Sequence, residues 1–187
     1  LGYRGASRYI VDLDVFKLEL EAIKKVREKY QNLNVMIPFV RTVNELSRTK
    51  EIIEASGLKR SGDFKIWMMV EVPSNIFLIE KFLAVGIDGI SIGSNDLTQL
   101  ILGVDRDNER LRESFDERDE AVMVALEKAV KTARSMGVTS SICGQAPSDY
   151  PEITTWLVRQ GIESISLNPD SVIPMTRVVH QAEQSLK

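Results

Sequence analysis

The chemistry this sequence can offer is concentrated where short apolar runs end in polar residues. Glu71 lies inside Trp-Met-Met-Val-Glu-Val-Pro, Asp96 in Ser94-Asn95-Asp96, and Cys143 directly before Gly144-Gln145. A carboxylate embedded among apolar neighbours, as Glu71 is, is expensive to bury unless a cation or a strong donor holds it. Two carboxylates from adjacent strand ends, with the Asn95 amide close by, could give Mg2+ a few oxygens and leave positions for substrate and water. The same pattern equally allows Glu71 to pair with an arginine and Asp96 to cap the following helix. Arg4, Arg41 and Arg106 can supply a bidentate clamp, since guanidinium matches phosphate and carboxylate and stays charged at any useful pH. A single surface arginine, however, signifies nothing by itself. Cys143 by type alone is better read as a small core hydrophobe; its place ahead of Gly144-Gln145-Ala146-Pro147 is what points to a functional end. Asn168 and Asp170 follow the last apolar run, and His180, well inside the last helical stretch, is assigned no role.

These residues need elements to position them. Short continuous apolar runs alternate with longer amphipathic ones, the pattern of repeated βα units around a parallel sheet buried on both faces. Strands are expected at 34–40, 66–72, 89–93, 138–143 and 164–167. Thr42 and Glu45 form a capping-box pattern after the first strand. A second helix should run from Ser74 to Gly86, a third from about Arg118 to Gly137, and a fourth from Ser148, with Pro151 in its first turn, to Gly161. Phe16, Leu20, Ile23 and Tyr30 stripe an amino-terminal helix, and residues 171–187 form the last. The run Gly86-Ile-Asp-Gly-Ile-Ser-Ile-Gly is echoed by Gly161-Ile-Glu-Ser-Ile-Ser-Leu-Asn, each passing from a helix end into a strand. Residues 98–117, rich in charge, read as a connection too long for an ordinary βα loop and so belong to the site.

Composition bounds the rest. With 187 residues and 43% apolar side chains the chain can build a real core as one domain, residues 1–187. The 24 basic and 27 acidic residues are interleaved and sum to −3, which gives no basic face for nucleic acid. No apolar run is long enough for a bilayer and no secretory leader is visible at the amino terminus, so a cytoplasmic protein is expected. The single cysteine excludes an internal disulfide, and the single histidine removes most zinc sites and Ser-His devices. There is no Gly-rich nucleotide loop. The opening Leu1-Gly2-Tyr3-Arg4-Gly5 looks like the inside of a Gly-rich loop, as in a piece of a longer protein.

Six segments together carry a family resemblance: Gly2-Tyr3-Arg4-Gly5, Met36-Ile37-Pro38-Phe39-Val40-Arg41, Met69-Val70-Glu71-Val72-Pro73-Ser74, the run from Gly89 through Ser94-Asn95-Asp96-Leu97-Thr98-Gln99, Val104-Asp105-Arg106, and Ile142-Cys143-Gly144-Gln145-Ala146-Pro147-Ser148. They resemble the carboxy-terminal phosphoenolpyruvate/pyruvate-binding domain of the PEP-utilising enzymes. The match covers nearly the whole chain, and Gln-Ala-Pro-Ser-Asp-Tyr-Pro points to the phosphoenolpyruvate synthase (pyruvate, water dikinase) branch. The resemblance implies an α/β fold of the (β/α)8 TIM-barrel type, here a partial barrel lacking about the first three strands. It implies Mg2+ on Glu71 and Asp96, substrate contacts from Asn95 and Ser94, a phosphate clamp from Arg4 and Arg106, Arg41 near the site, and Cys143 as proton donor and acceptor. Its implied partners are pyruvate or phosphoenolpyruvate and the phosphohistidine and nucleotide-binding domains of a parent enzyme, which this chain does not contain; the 187 residues alone are therefore expected not to catalyse the overall reaction. Unpaired edges of an open barrel suggest a homo-oligomer. Two other readings stand beside this one, a Mg2+-dependent lyase or aldolase of the same barrel superfamily and a non-catalytic oligomerisation module.

Overall fold

The computed structural model describes residues 2–186; the expected loop start at Leu1 and helix end at Lys187 lie outside the described residues. In chain order the elements are α1 (Ala6–Val11), α2 (Leu13–Arg27), β1 (Val35–Ile37), α3 (Val43–Ala55), β2 (Ile66–Val70), α4 (Pro73–Phe77), α5 (Ile79–Leu83) and β3 (Gly89–Gly93). There follow α6 (Ser94–Leu102), α7 (Glu120–Ser135), β4 (Thr139–Cys143), α8 (Ala146–Asp149), α9 (Pro151–Gln160), β5 (Ser164–Ile165) and α10 (Val172–Gln184). All strand pairings are parallel, and the spatial order β1-β2-β3-β4-β5 is the chain order. Each crossover thus steps the same way, as in a (β/α)8 barrel, whereas a doubly wound sheet reverses at a switch point.

Side-chain alternation divides the sheet into two faces. Ile66, Met68, Val70, Ile90, Ile92 and Ile142 are fully buried beneath the helices. The opposite face carries Trp67, Met69, Ser91, Ser141 and Cys143 in register across β2, β3 and β4. Gly89 lies under the Trp67 ring, where a Cβ would stand 2.4 Å from the ring atoms, so this position has to be glycine.

Strand and helix ends differ from expectation for local reasons. The first strand stops at Ile37 because Pro38 has no N–H and Phe39 is left-handed, φ 45°. The second stops at Val70 because the N–H groups of Glu71 and Val72 donate to the Asn75 side chain instead of the ladder, at 3.3 and 3.0 Å. The helix expected over 74–86 breaks at Leu78 into α4 and α5. The helix expected from Ser148 is two, because Pro151 opens α9 and keeps Tyr150 extended. Residues 98–102 continue α6, so the long connection begins only at Gly103. Thr42 caps α3 as expected, accepting from the Glu45 N–H, but the Glu45 carboxylate returns to Arg41 N, one residue before the cap. The sequence echo marks a shared device: Asp88 accepts from Ile66 N at 2.9 Å and Glu163 from Ser140 N at 2.8 Å, each pinning the preceding strand at the end away from Glu71 and Cys143.

Candidate active site

The carboxyl ends of β1 to β4 gather Arg4, Phe39, Glu71, Asp96 and Cys143. Val70 pairs with Ile92 and Gly93 with Cys143, so Glu71, one residue beyond Val70, lies beside Gly93. A Cβ on Gly93 would stand 3.0 Å from Glu71 Oε2, so glycine here gives the carboxylate its room. Glu71 is 6% exposed, and its Oε1 accepts from Phe39 N at 2.6 Å. Asp96, in the first turn of α6, meets Arg4 at 3.3 Å. Cys143 is half-buried, with Sγ 3.6 Å from Met69 Sδ.

The acids and the thiol act on one another. Burial pushes the Glu71 carboxyl above the usual range; the Phe39 N–H and Arg4 oppose this, and the nearby Asp96 charge adds to it. Burial likewise pushes the Cys143 thiol up; the facing Ser91 hydroxyl offsets part, and the Glu71 and Asp96 charges raise it further. The resting form is therefore a thiol, facing a space that already holds negative charge.

Phe39 organises the cationic side. Its ring lies 4.3 Å from the Arg4 guanidinium carbon and 4.8 Å from that of Arg41. Arg41 donates to Arg4 O, Ser7 Oγ and Gly2 O at 3.1, 2.8 and 2.5 Å, so it holds the segment that presents Arg4. Gly5 packs against this turn, where a Cβ would lie 2.5 Å from that of Phe39. Arg4 and Arg106 both line a cavity of about 530 Å3 with Asp96 and Gln99. Asn95 Oδ1 accepts from Gln145 N at 3.0 Å and ties the end of β3 to the turn after Cys143. Ser94 is fully enclosed behind Asn95.

Sequence reading thus located Glu71, Asp96, Asn95, Cys143 and Arg4 in one region, with Arg106 at its rim. It missed Phe39, whose left-handed backbone has no composition signal, and Glu117, a buried carboxylate in a charge-rich loop. Asn75 was also missed, although an Asn four residues after Glu71 is a signal that could have found it. Asn168 and Asp170 are exposed, as is His180. Among the described residues no group of three His, Cys, Asp or Glu side chains is arranged for a metal. Two carboxylates of which one is buried, near another acid, and raised in pKa nevertheless suit Mg2+. That ion binds through one or two carboxylates and completes its shell with water and substrate oxygens.

A family model for the PEP-utilising enzyme, PEP-binding domain, matches residues 1–184. The chain is 53% identical to a phosphoenolpyruvate synthase of Aeropyrum pernix and 49% identical to that of Helicobacter pylori, covering all of this chain in both and 23% and 24% of those proteins. The phosphoenolpyruvate synthase of Escherichia coli is 49% identical over 92% of this chain and 22% of its own length. The chain spans about a quarter of the length of these curated relatives. Two solved structures share the fold: a HpcH/Hpal aldolase/citrate lyase family protein from Burkholderia cenocepacia (TM-score 0.56, 15% identity, 82% of this chain and 64% of that one) and RipC from Yersinia pestis (TM-score 0.59, 12% identity, 82% and 67%).

Proposed function

Because the chain belongs to the PEP-utilising enzymes as their PEP-binding domain, we propose that it is the pyruvate/phosphoenolpyruvate site of a phosphoenolpyruvate synthase. It would take a phosphoryl group from a phosphohistidine on another domain of the parent chain. One observation carries this reading: Glu71, Asp96 and Cys143 face one space at the carboxyl ends of adjacent strands, with Arg4 against Asp96. In the direction of synthesis the Cys143 thiol first gives its proton to solvent; the thiolate then takes a proton from the pyruvate methyl group, and the electron pair moves into the enolate. The enolate oxygen then attacks phosphorus, and the P–N bond breaks with its pair leaving on the imidazole. Arg4 and Arg106 bind the phosphoryl and carboxylate oxygens of the substrate, Arg41 keeps Arg4 in place, and Asn95 contributes an amide donor, with Ser94 behind it. A Mg2+ on Glu71 and Asp96 would neutralise charge on the enolate and phosphoryl oxygens. In reverse, the resting thiol is already the form that protonates the enol carbon.

Calorimetric titration of the protein with Mg2+ and oxalate, an enolate mimic, tests this site. Oxalate binding should require Mg2+ and be lost in Glu71→Ala; metal-independent binding, or full affinity in Glu71→Ala, would refute it. Cys143→Ser in the parent enzyme separates a synthase from a lyase or aldolase of the same fold. Exchange of the pyruvate methyl protons should collapse in the first and survive in the second. The 187 residues alone should not convert ATP and pyruvate into phosphoenolpyruvate.

A further inference from the structure

Glu117 sits in the connection between α6 and α7 and is 3% exposed, with Oε1 accepting no hydrogen bond. The Ser94 hydroxyl, at the start of α6, donates to Asn95 Oδ1 at 3.4 Å, and it and the Ala146 N–H, three residues after Cys143, lie close enough to oppose the rise that burial gives the Glu117 pKa. It lines a polar cavity of about 490 Å3 with Asn95, Arg106, Gln145 and Tyr150. An apolar side chain would fill this place without the cost of burying a carboxylate, so the acid must be held there by what it contacts. What it contacts is a junction. Asn95 Oδ1 accepts from Gln145 N at 3.0 Å, and Gly144, at φ 100°, passes so close to Ser94 that a Cβ would lie 2.3 Å from its hydroxyl oxygen. The loops that follow β3 and β4 therefore touch backbone to side chain, and Glu117 reaches both.

We propose that Glu117 is a positioning residue for Cys143, locking the turn over residues 143–146 against Ser94 and Asn95 and so fixing the thiol relative to Glu71 and Asp96. The functional half of this inference rests on the reading of Cys143 as the proton-transfer group; the geometric half does not. What matters is reach, with the carboxylate spanning from its own loop to two others. Glutamine keeps that reach, and its side-chain carbonyl can stand where the carboxylate oxygen faces both the Ser94 hydroxyl and the Ala146 N–H. Aspartate keeps the charge and loses the reach.

The test compares Glu117→Gln and Glu117→Asp in the full-length protein by three readouts: iodoacetamide labelling of Cys143 followed by peptide mass spectrometry, amide exchange over residues 144–146, and pyruvate methyl-proton exchange. Glu117→Gln should match the unsubstituted protein within about twofold in all three. Glu117→Asp should speed local amide exchange and thiol labelling by about fivefold or more, as expected when a local opening becomes cheaper. It should lower kcat for methyl-proton exchange about tenfold or more with KM little changed, since misplacing a reacting group by an ångström can cost that much. Unchanged labelling and amide exchange in Glu117→Asp would overturn the proposal, and so would a Glu117→Gln as impaired as Glu117→Asp, because charge and not reach would then be at work. If Glu117→Asp loosens the whole sheet, Ser94→Ala decides: it removes one partner of an intact Glu117 and must quicken exchange at the same amides, and no change there refutes the lock. If Cys143→Ser keeps methyl-proton exchange, the reading of the thiol fails, while labelling and amide exchange still decide the role of Glu117.

Discussion

Phe39 gives the sharpest test of the backbone argument, because its two halves oppose each other. The residue is 3% exposed and its ring lies 4.3 and 4.8 Å from two guanidinium carbons, while its backbone sits at φ 45°, a conformation that β-carbons disfavour. Phe39→Ala removes the ring and should cost about 3–5 kcal/mol, the usual range for emptying a buried phenyl site. Phe39→Gly removes the same ring and also the Cβ. Left-handed backbone costs an L-residue about 1–2 kcal/mol, and the extra freedom of glycine in the unfolded chain takes back about 0.4–1 kcal/mol. The glycine variant should therefore be the more stable of the two by about 0.5–1 kcal/mol, the reverse of the order seen in helices and strands. For a chain of this size that is a Tm difference of about 1–4 °C. Urea unfolding followed by tryptophan emission measures the pair against each other, and the shared loss of the ring cancels. Phe39→Ala equal to or more stable than Phe39→Gly would mean that the backbone at this position is unstrained, and the account of how the Glu71 donor is presented would fall with it.

Other outcomes follow from the same geometry. Burial raises the Glu117 pKa, so the native state binds the proton more tightly than the unfolded one. Its contribution is full below the unfolded pKa of about 4.3 and is lost as pH rises through the higher folded value. Glu117→Gln, which cannot titrate, should therefore gain stability relative to the parent as pH rises from 4 towards 8, and a difference independent of pH would contradict the burial. Gly144→Ala would force a Cβ to 2.3 Å from Ser94 Oγ at φ 100°, and should cut turnover about tenfold or more with the sheet intact by circular dichroism, in line with the sensitivity of reacting geometry to small displacements. β1 and β5 are the edges of the described sheet, and copies of the chain are expected to associate through them; sedimentation as a single monomeric boundary at micromolar concentration would refute this.

Much of the fold was legible because its signals are local. The run that became β2 is continuously apolar, β3 and β4 keep Ile90, Ile92 and Ile142 on the face the helices bury while Ser91 and Ser141 stand on the other, and Gly86, Gly137 and Gly161 punctuate the helices with the positive φ their positions require. Even the echo between Gly86-Ile-Asp and Gly161-Ile-Glu had a physical meaning, since both acids accept an N–H from the strand before. Where β1, β2 and the helix from Ser148 departed from expectation, a side chain had taken a backbone donor or a proline had removed one. Neither shows in hydrophobic period: Asn75 ends β2, Pro38 ends β1, and Pro151 splits a helix.

The site divides along the same line, and for a reason that extends beyond this chain. Glu71, Asp96 and Cys143 were visible because a polar residue at the end of an apolar strand is locally anomalous. The groups that hold them are not anomalous where they stand. Phe39 N reaches Glu71 across 32 residues, Asn75 reaches Val40 across 35, Arg41 reaches Gly2 across 39, and Asn95 reaches Gln145 across 50. A parallel sheet makes this unavoidable, because strands that touch are separated by a whole crossover, and every bond that fixes one loop to the next is a bond between distant residues. The reacting groups of such a site can therefore be read from one segment at a time, whereas their alignment belongs to pairs of segments. Glu117 falls in the second class: in its own segment it is one more charge in a charged loop, and only Ser94 on one side and Ala146 on the other give it a task.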